Sequence, residues 1–310
     1  MIFNLYKNRG ETPLECLERF RGTKPELQNE SMTYLGRLDP LAEGVLLVGA
    51  KEHVEQKERE KFFGLDKEYD FTAIFGFETD TYDVMGRVLK SETTEDLQEI
   101  DLIKICKIYE GEREQKYPKY SSKMIYENQK KKRPLEQTGY FSAEKSPPSP
   151  AGHGPKVALE EFPSSDLEKE VFSPDLQNEF SSLGSEELEL PKLSSESFPS
   201  KMINIYKLQF QKLENISSKD LFARILMDVS RVRGDFRQGE ILEDWKKLLL
   251  EKGNFEIPIA HFSAHVSSGT YIRSLVNGIG ETLGCGATTL SIKRTRVGDY
   301  KIEDAIIISK

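Results

Sequence analysis

Long apolar runs are missing from the sequence. No stretch of about 18 hydrophobic residues occurs, which excludes a membrane-spanning helix. The N-terminal residues MIFNLYKNRGETP lack a basic segment, an apolar stretch and a small-residue cleavage site, so we expect no secretory signal. Cysteine is scarce, with 3 in 310 residues, far apart and odd in number. This usage is typical of free thiols in a reducing compartment and argues against a disulfide framework or a zinc ribbon. We therefore expect a cytoplasmic protein.

Several catalytic and metal-binding motifs are also absent. Neither the phosphate-binding loop GxxxxGK[ST] nor the serine-hydrolase motif GxSxG occurs. His261 and His265 are spaced HxxxH without the glutamate of HExxH, and we interpret them as packing residues. Glu78, Asp80 and Asp83 lack EF-hand spacing, so we expect a solvated turn there and not a cation site.

Charge is distributed unevenly along the chain. The segment 137–200 carries 12 acidic and 4 basic residues, which accounts for the whole net charge of −8 and leaves the remainder neutral. It also holds 8 of the 14 prolines and 13 serines. Because this composition buries too little apolar area to offset its ordering entropy, we predict a long disordered insertion at 137–200.

The insertion separates two halves, 1–136 and 201–310, that have regular hydrophobic patterns. We predict two helices in the second half and one near the N-terminus, at 12–21, 240–251 and 270–283, with Gly284 at the last C-cap. We predict strands at 2–6, 45–48, 69–77, 202–213, 221–229 and 261–267. Strands outnumber helices and often follow one another, which predicts an α+β fold with a mixed, largely antiparallel sheet flanked by helices.

The segment YLGRLDPLAEGVLLVG, 34–49, presents one carboxylate on a constrained loop. Pro40 disfavours helical geometry at Asp39, and Gly36 and Gly44 permit tight turns on either side. A carboxylate held on a stiff loop directly before a buried strand suits a nucleophile or a base. Taken alone, the same pattern is more typical of an aspartate that only makes an Asx turn.

The segment VSSGTYIRSLVNGIGETLGCGA, 266–287, starts a predicted helix after a turn at Gly269. Tyr271 and Arg273 fall in its first turn, where a cation opposes the helix dipole and usually has a partner elsewhere. The planar guanidinium of Arg273 matches the two oxygens of a carboxylate such as Asp39. The alternative is a surface arginine on a core helix.

Aromatic and basic residues offer weaker signals. Tyr69 opens a predicted strand and faces either a site or the core. Three basic patches are compatible with contacts to RNA, although each is also typical of a solvated surface. They comprise Lys130, Lys131, Lys132 and Arg133 beside tyrosines 117, 120 and 126; Arg231, Arg233 and Arg237; and Lys293, Arg294 and Arg296.

In combination and order, these segments resemble the TruB family of tRNA pseudouridine synthases over nearly all of the chain outside the insertion. The blocks LDPLAEGVL and GTYIR with LGCGA carry most of the likeness. The resemblance implies a pseudouridine synthase core that isomerises a uridine in the T arm of tRNA, at position 55 in tRNA numbering. It also implies chemistry without a cofactor or a metal.

The resemblance assigns roles to individual residues. Asp39 matches the catalytic aspartate, Tyr69 the active-site tyrosine that stacks on the target base, and Arg273 the arginine that pairs with the carboxylate. Lys7 falls on the lysine of the family's N-terminal KPxG-like motif, here KNRG. We predict contact with the substrate for six residues: Lys7, Tyr34, Arg37, Tyr271, Lys293 and Arg294.

Three features depart from the family pattern. The usual HxGTLD becomes YLGRLD, so Tyr34 replaces a histidine and Arg37 a threonine, and GRLD also occurs in RluA- and RsuA-type synthases that modify other RNAs. The insertion enters the region following YSSKMIYENQK, where the family carries an RNA-gripping thumb. The chain stops soon after KIEDA, so we expect no RNA-binding PUA domain.

A synthase acting on another RNA, such as rRNA, and a non-catalytic tRNA-folding chaperone remain alternatives. We expect a monomer.

Overall fold

The computed structural model describes residues 1–92, 94, 97–118, 120, 125–127, 130–132 and 200–308, with backbone alone for 125–127 and 130–132. The predicted insertion therefore lies outside the described residues, apart from Ser200. So does the side-chain chemistry of the basic patch at 130–133. All other described residues belong to the two halves on either side of the insertion.

One sheet of nine strands is built from both halves of the sequence. Its main path runs through seven strands in the order β1 (Ile2–Lys7), β3 (Ala42–Ala50), β12 (Ala287–Val297), β4 (Lys67–Phe75), β11 (Glu256–Val266), β10 (Ser200–Ser217) and β7 (Gly111–Lys116). Two short strands pair beside it, β2 (Met32–Tyr34) with β3 and β13 (Tyr300–Lys301) with β12. The pair β3–β12 is parallel and the other pairs of this sheet are antiparallel. The predicted α+β class is confirmed.

Two hairpins lie outside that sheet, β5 (Phe77–Thr79) with β6 (Val88–Ser91) and β8 (Ile125–Glu127) with β9 (Lys130–Lys132). The described residues form six α-helices, α1 (Pro13–Gly22), α2 (Gln56–Phe63), α3 (Glu99–Tyr109), α4 (Ser218–Arg231), α5 (Gln238–Leu250) and α6 (Ile272–Leu283). The helix α1 begins with a reciprocal capping box between Thr12 and Glu15, and α6 ends at Gly284 with φ of 76°. No helix in the described part of the chain has both the length and the apolar character needed to cross a bilayer.

The prediction of a strand at 221–229 is wrong, because these residues belong to α4. Every second position there is apolar, but the buried residues Leu221, Ile225 and Val229 also recur at helical spacing. Ser217 caps the helix by accepting a hydrogen bond from the backbone N–H of Asp220. This local start signal favours the helix over the strand.

Each face of the sheet has its own buried cluster, because alternate residues of a strand point to opposite sides. On one face Phe71 and Phe262 stack with ring centroids 5.3 Å apart, in a cluster shared with α3 and α6. On the other face α4 and α5 cover Ile74 and Ile259 around Trp245, which is fully buried. The helical hairpin α4–α5 is therefore part of the core.

Candidate active site

Asp39 lies in the loop between β2 and β3. Its carbonyl oxygen accepts a 3.0 Å hydrogen bond from the backbone N–H of Ala42, which closes a turn at the start of β3. The neighbours Leu38 and Pro40 are buried, whereas the side chain of Asp39 is 28% exposed. The backbone is thus anchored in the core while the carboxylate still reaches solvent.

Lys7 holds the backbone of this loop from its buried side. It is fully buried, and its Nζ donates to the carbonyl oxygens of Asn8 at 3.0 Å, Pro40 at 3.1 Å and Ala42 at 2.6 Å. Burial lowers the pKa of Lys7 to about 7. Because all three bonds go to backbone carbonyls, the geometry gives Lys7 a role in positioning the loop and does not support the predicted contact with substrate.

Arg294 holds the same loop from β12. Its Nε donates to the carbonyl oxygen of Val45 at 2.8 Å and its Nη1 to that of Arg37 at 2.9 Å, and the residue is 4% exposed. The strands approach closely here, since a Cβ on Gly44 would lie 2.2 Å from the carbonyl oxygen of Arg294. With φ of 104° as well, position 44 requires glycine. Arg294 therefore also acts on the loop backbone, and its predicted contact with substrate is likewise not supported.

Arg273 lies in the first turn of α6 and is only 2% exposed. Its Nε donates to Oδ2 of Asp39 at 2.7 Å. Its Nη1 donates to the carbonyl oxygen of Thr81 at 2.6 Å and its Nη2 to that of Tyr120 at 3.3 Å. Oδ2 of Asp83 lies 3.6 Å from the same Nε, so the arginine faces two carboxylates.

Asp83 is a residue that the sequence reasoning missed. The expected solvated turn is wrong, because Thr79, Thr81 and Asp83 are all buried. The Oδ1 of Asp83 accepts from the hydroxyl of Thr81 at 2.6 Å and from the backbone N–H of Met85 at 3.0 Å. The one signal in the sequence was the apolar pair Val84–Met85, which is fully buried and draws the turn into the core.

Tyr69 begins the buried part of β4 and is 8% exposed. It belongs to the same cluster as Leu38 and Ile272, the sequence neighbours of Asp39 and Arg273. The structure thus joins Asp39 to Arg273 and places Tyr69 in the buried cluster that contains a sequence neighbour of each.

Tyr271 lies at the N-cap of α6, directly before the turn that carries Arg273. Its ring packs edge-on to that of Tyr117 with centroids 5.7 Å apart. Gln115 fixes its backbone by donating to the carbonyl of Tyr271 and accepting from its N–H. Tyr271 is half-buried and so remains available for contact with a ligand.

The other three residues predicted to contact the substrate, Arg37, Tyr34 and Lys293, lie in three different environments. Arg37 is exposed in the Asp39 loop, and Tyr34 packs against the buried cluster beneath α1. Lys293 pairs in register with Asp70, whereas Arg294 pairs with Tyr69. Because paired residues share a face of the sheet, Lys293 points away from the face of Tyr69. The prediction that Lys293 contacts the same substrate as Tyr69 is not supported by this position.

A cavity of about 480 Å³ opens between α3 and the end of α6. Its lining includes Leu97, Ile105 and Cys285 and contains none of the predicted site residues. The candidate site is therefore defined by the Asp39–Arg273 pair and not by this cavity.

The sequence of this chain is similar to that of a known family and of several known proteins, and these help to identify the site. A family described as TruB family pseudouridylate synthase (N terminal domain) matches residues 24–138. The tRNA pseudouridine synthase 4 of Saccharomyces cerevisiae is 26% identical over 281 residues, covering 88% of this chain and 62% of the yeast protein. The tRNA pseudouridine synthase B of Thermosipho melanesiensis is 24% identical, covering 98% of this chain and 66% of that protein. The chain is similar to the TruB family, over residues 24–138 by the family model.

The chain spans 62%, 66% and 65% of the length of the first three relatives, just under two thirds. Over a shorter stretch of 120 residues it is 36% identical to the tRNA pseudouridine synthase B of Aquifex aeolicus, covering 38% of this chain and 39% of that protein. Among solved structures, a chain of a Cbf5–Nop10–Gar1 complex has a TM-score of 0.48 at 18% identity, covering 99% of this chain and 52% of that chain. The similarity to the TruB family does not depend on that distant likeness.

Proposed function

We propose that this protein isomerises uridine to pseudouridine in the T arm of tRNA, at position 55. The observation that carries the proposal is the Asp39–Arg273 pair, in which a partly exposed carboxylate lies 2.7 Å from a buried guanidinium. The match to the TruB family supports the reaction, and the names of the yeast and bacterial relatives support tRNA as the substrate.

The reaction breaks the bond between N1 of uracil and C1′ of the ribose and joins C1′ to C5 of the same base. The target nucleotide must first leave the base stack, which costs a few kcal/mol. An ionised Asp39 then acts as a covalent nucleophile or stabilises positive charge on the sugar. The guanidinium of Arg273 stabilises the negative charge of Asp39 and fixes its direction.

Tyr69 supplies the aromatic face against which the extruded base is held. After the base rotates, C5 bonds to C1′ and Asp39 is released as the carboxylate. C5 then loses its proton to a base in the site and N1 gains a proton, so the product is an isomer of the substrate. Arg37 and Tyr271, exposed and half-buried respectively, are suited to contact the RNA around the target.

The test uses the purified full chain and an unmodified tRNA transcript, with pseudouridine located by chemical labelling and primer extension. We expect product at position 55 with the wild type and none with Asp39→Ala. The matched control is Asp70→Ala, an exposed aspartate beside Tyr69 on the other face of β4, which should retain activity.

The outcomes separate the alternatives. Product at another tRNA position, or only in ribosomal RNA, would contradict the assignment to the T arm. Binding of tRNA without any product would favour the folding chaperone. Full turnover by Asp39→Ala would overturn the proposed chemistry.

A further inference from the structure

The helical hairpin α4–α5, which connects β10 to β11, packs close to the candidate site. Leu41 lies two residues after Asp39 and belongs to the same buried cluster as Ile225 of α4 and Trp245 of α5. Val84, next to Asp83, belongs to that cluster as well. The hairpin therefore packs against both loops that carry a carboxylate facing Arg273.

Asp228 of α4 reaches the Asp39 loop through Arg9. The guanidinium of Arg9 makes a bidentate pair with it, Nε to Oδ1 at 2.8 Å and Nη2 to Oδ2 at 2.7 Å. The remaining Nη1 donates to the carbonyl oxygen of Leu41 at 3.0 Å, and Nη2 also donates to that of Leu290 at 2.7 Å. Asp228 thus fixes the orientation in which Arg9 holds the backbone beside Asp39.

This contact is enclosed. The side chains of Arg9 and Asp228 are 13% and 6% exposed. A Cβ on Gly10 would lie 2.8 Å from the Cβ of Arg231 at the end of α4, and the N–H of Gly10 donates to the carbonyl of Pro40 at 2.9 Å. The segment carrying Arg9 is therefore fitted between the hairpin and the Asp39 loop, with little room for a different arrangement.

The hairpin also holds the second loop, Thr79 to Arg87. Arg237, between the two helices, pairs with Asp80 at 2.8 Å. The indole Nε1 of Trp245 donates to the carbonyl oxygen of Val84 at 3.3 Å. These contacts lie on either side of Thr81 and Asp83, the two partners of Arg273 in this loop.

We propose that the α4–α5 hairpin positions the active site and that Asp228 is its positioning residue for Asp39, acting through Arg9 and the carbonyl of Leu41. The geometry needed for reaction is strict, since a displacement of about 1 Å lowers a rate about 10²-fold. The kinetic part of this inference rests on the proposed function. The structural part, that Asp228 orders the segment 37–45, does not.

The first experiment replaces Asp228 with Asn in the full chain. The amide keeps the shape but places an N–H donor against one of the N–H groups of Arg9, so the bidentate pair is lost. We expect kcat on tRNA to fall about tenfold with KM within about twofold. Backbone amides of residues 37–45 should exchange faster with D₂O. The control Asp220→Asn makes the same change at an exposed position of α4 and should alter neither measurement.

A second variant separates positioning from simple charge balance, because an unpaired buried charge alone destabilises a fold. The double change Arg9→Met with Asp228→Leu removes both charges and should recover the melting temperature lost in Asp228→Asn. Positioning predicts that kcat stays low and that exchange at 37–45 stays fast. A merely structural ion pair predicts that both return to wild-type values.

Two results overturn the inference when the wild type is active: an unchanged kcat in Asp228→Asn, or a lower kcat without faster exchange at 37–45. If the wild type forms no pseudouridine in any RNA, the proposed function fails. Amide hydrogen exchange at residues 37–45 is then the measurement that tests the ordering role of Asp228. In that case faster exchange in both variants supports the ordering role of Asp228, and unchanged exchange rejects it.

Discussion

Two aspartates approach the same arginine from different loops, and they differ mainly in exposure. The side chain of Asp39 is 28% exposed and lies 2.7 Å from Nε of Arg273. That of Asp83 is 7% exposed and lies 3.6 Å from the same atom. The Oδ1 of Asp83 is occupied by the hydroxyl of Thr81 and the N–H of Met85. A substrate can reach Asp39, whereas Asp83 is enclosed by its own loop.

This difference in exposure distinguishes a carboxylate that can react from one that positions its neighbour. A carboxylate that reacts must remain accessible, and a buried carboxylate is stable only when hydrogen bonds and an opposite charge compensate its burial. Asp83 meets the second condition and so helps to hold the guanidinium of Arg273. Asp39 shares that guanidinium but keeps an open side towards solvent.

The largest effect is expected for Asp39→Asn, which preserves shape and removes the charge. We expect kcat to fall roughly 10⁴-fold or more, the scale for loss of an essential nucleophile or charge-stabilising group. Binding of tRNA should remain within a fewfold of wild type, because Asn occupies the same volume. Single-turnover kinetics and filter binding measure the two quantities. Substantial turnover by Asp39→Asn would show that the reaction does not need an accessible negative charge at position 39.

Asp83→Asn should have a smaller effect, about 10²-fold on kcat, since Arg273 loses an anionic neighbour but Asp39 remains. The protein should also melt at a lower temperature, because Oδ1 and Oδ2 are both in buried contacts. A folded Asp83→Asn variant as inactive as Asp39→Asn would break the distinction between the two aspartates. Thermal unfolding monitored by circular dichroism provides the necessary check on folding.

The sequence was informative where chemistry is local. Pro40 restricts the backbone of Asp39, and a cation in the first turn of a helix requires a partner, so both ends of the Asp39–Arg273 pair could be singled out. The two residues lie 234 positions apart, and their meeting depends on the parallel pairing of β3 with β12. No local pattern predicts that pairing.

Burial of charged residues could not be predicted in the same way. Lys7, Arg9 and Asp83 are charged residues of the kind usually found on a surface. Lys7 and Asp83 are buried and Arg9 is partly buried, because backbone groups far along the chain or in the same turn satisfy them after folding. Adjacent basic residues of β12 face opposite sides of the sheet, and only the strand register decides which one meets the site. The strand predicted at 221–229 shows the same limit, since two periodicities fit one segment.

The third prediction concerns Lys7, the buried lysine whose hydrogen bonds hold the backbone of the Asp39 loop. The Asp83 loop has no such lysine. The pKa of Lys7 is lowered from 10.5 to about 7, so the folded protein releases this proton before the unfolded chain does. Between about pH 7 and 10.5 the unfolded state binds the additional proton, and rising pH favours folding. The unfolding free energy of the wild type minus that of Lys7→Met should therefore increase over this range by at least about 1 kcal/mol. Urea titrations at pH 7 and 10 test this, and a flat or falling difference would contradict it.

The smallest effect is expected for Lys293→Ala, on the face of β12 opposite to Arg294 and Tyr69. Removal of an exposed side chain there should leave kcat and KM for tRNA within about twofold. Its neighbour provides the contrast, because Arg294→Ala frees the carbonyls of Arg37 and Val45 and should lower kcat about tenfold. A large rise in KM for Lys293→Ala would mean that RNA also contacts the second face of the sheet. The loops around Arg273 would then account for only part of the binding surface.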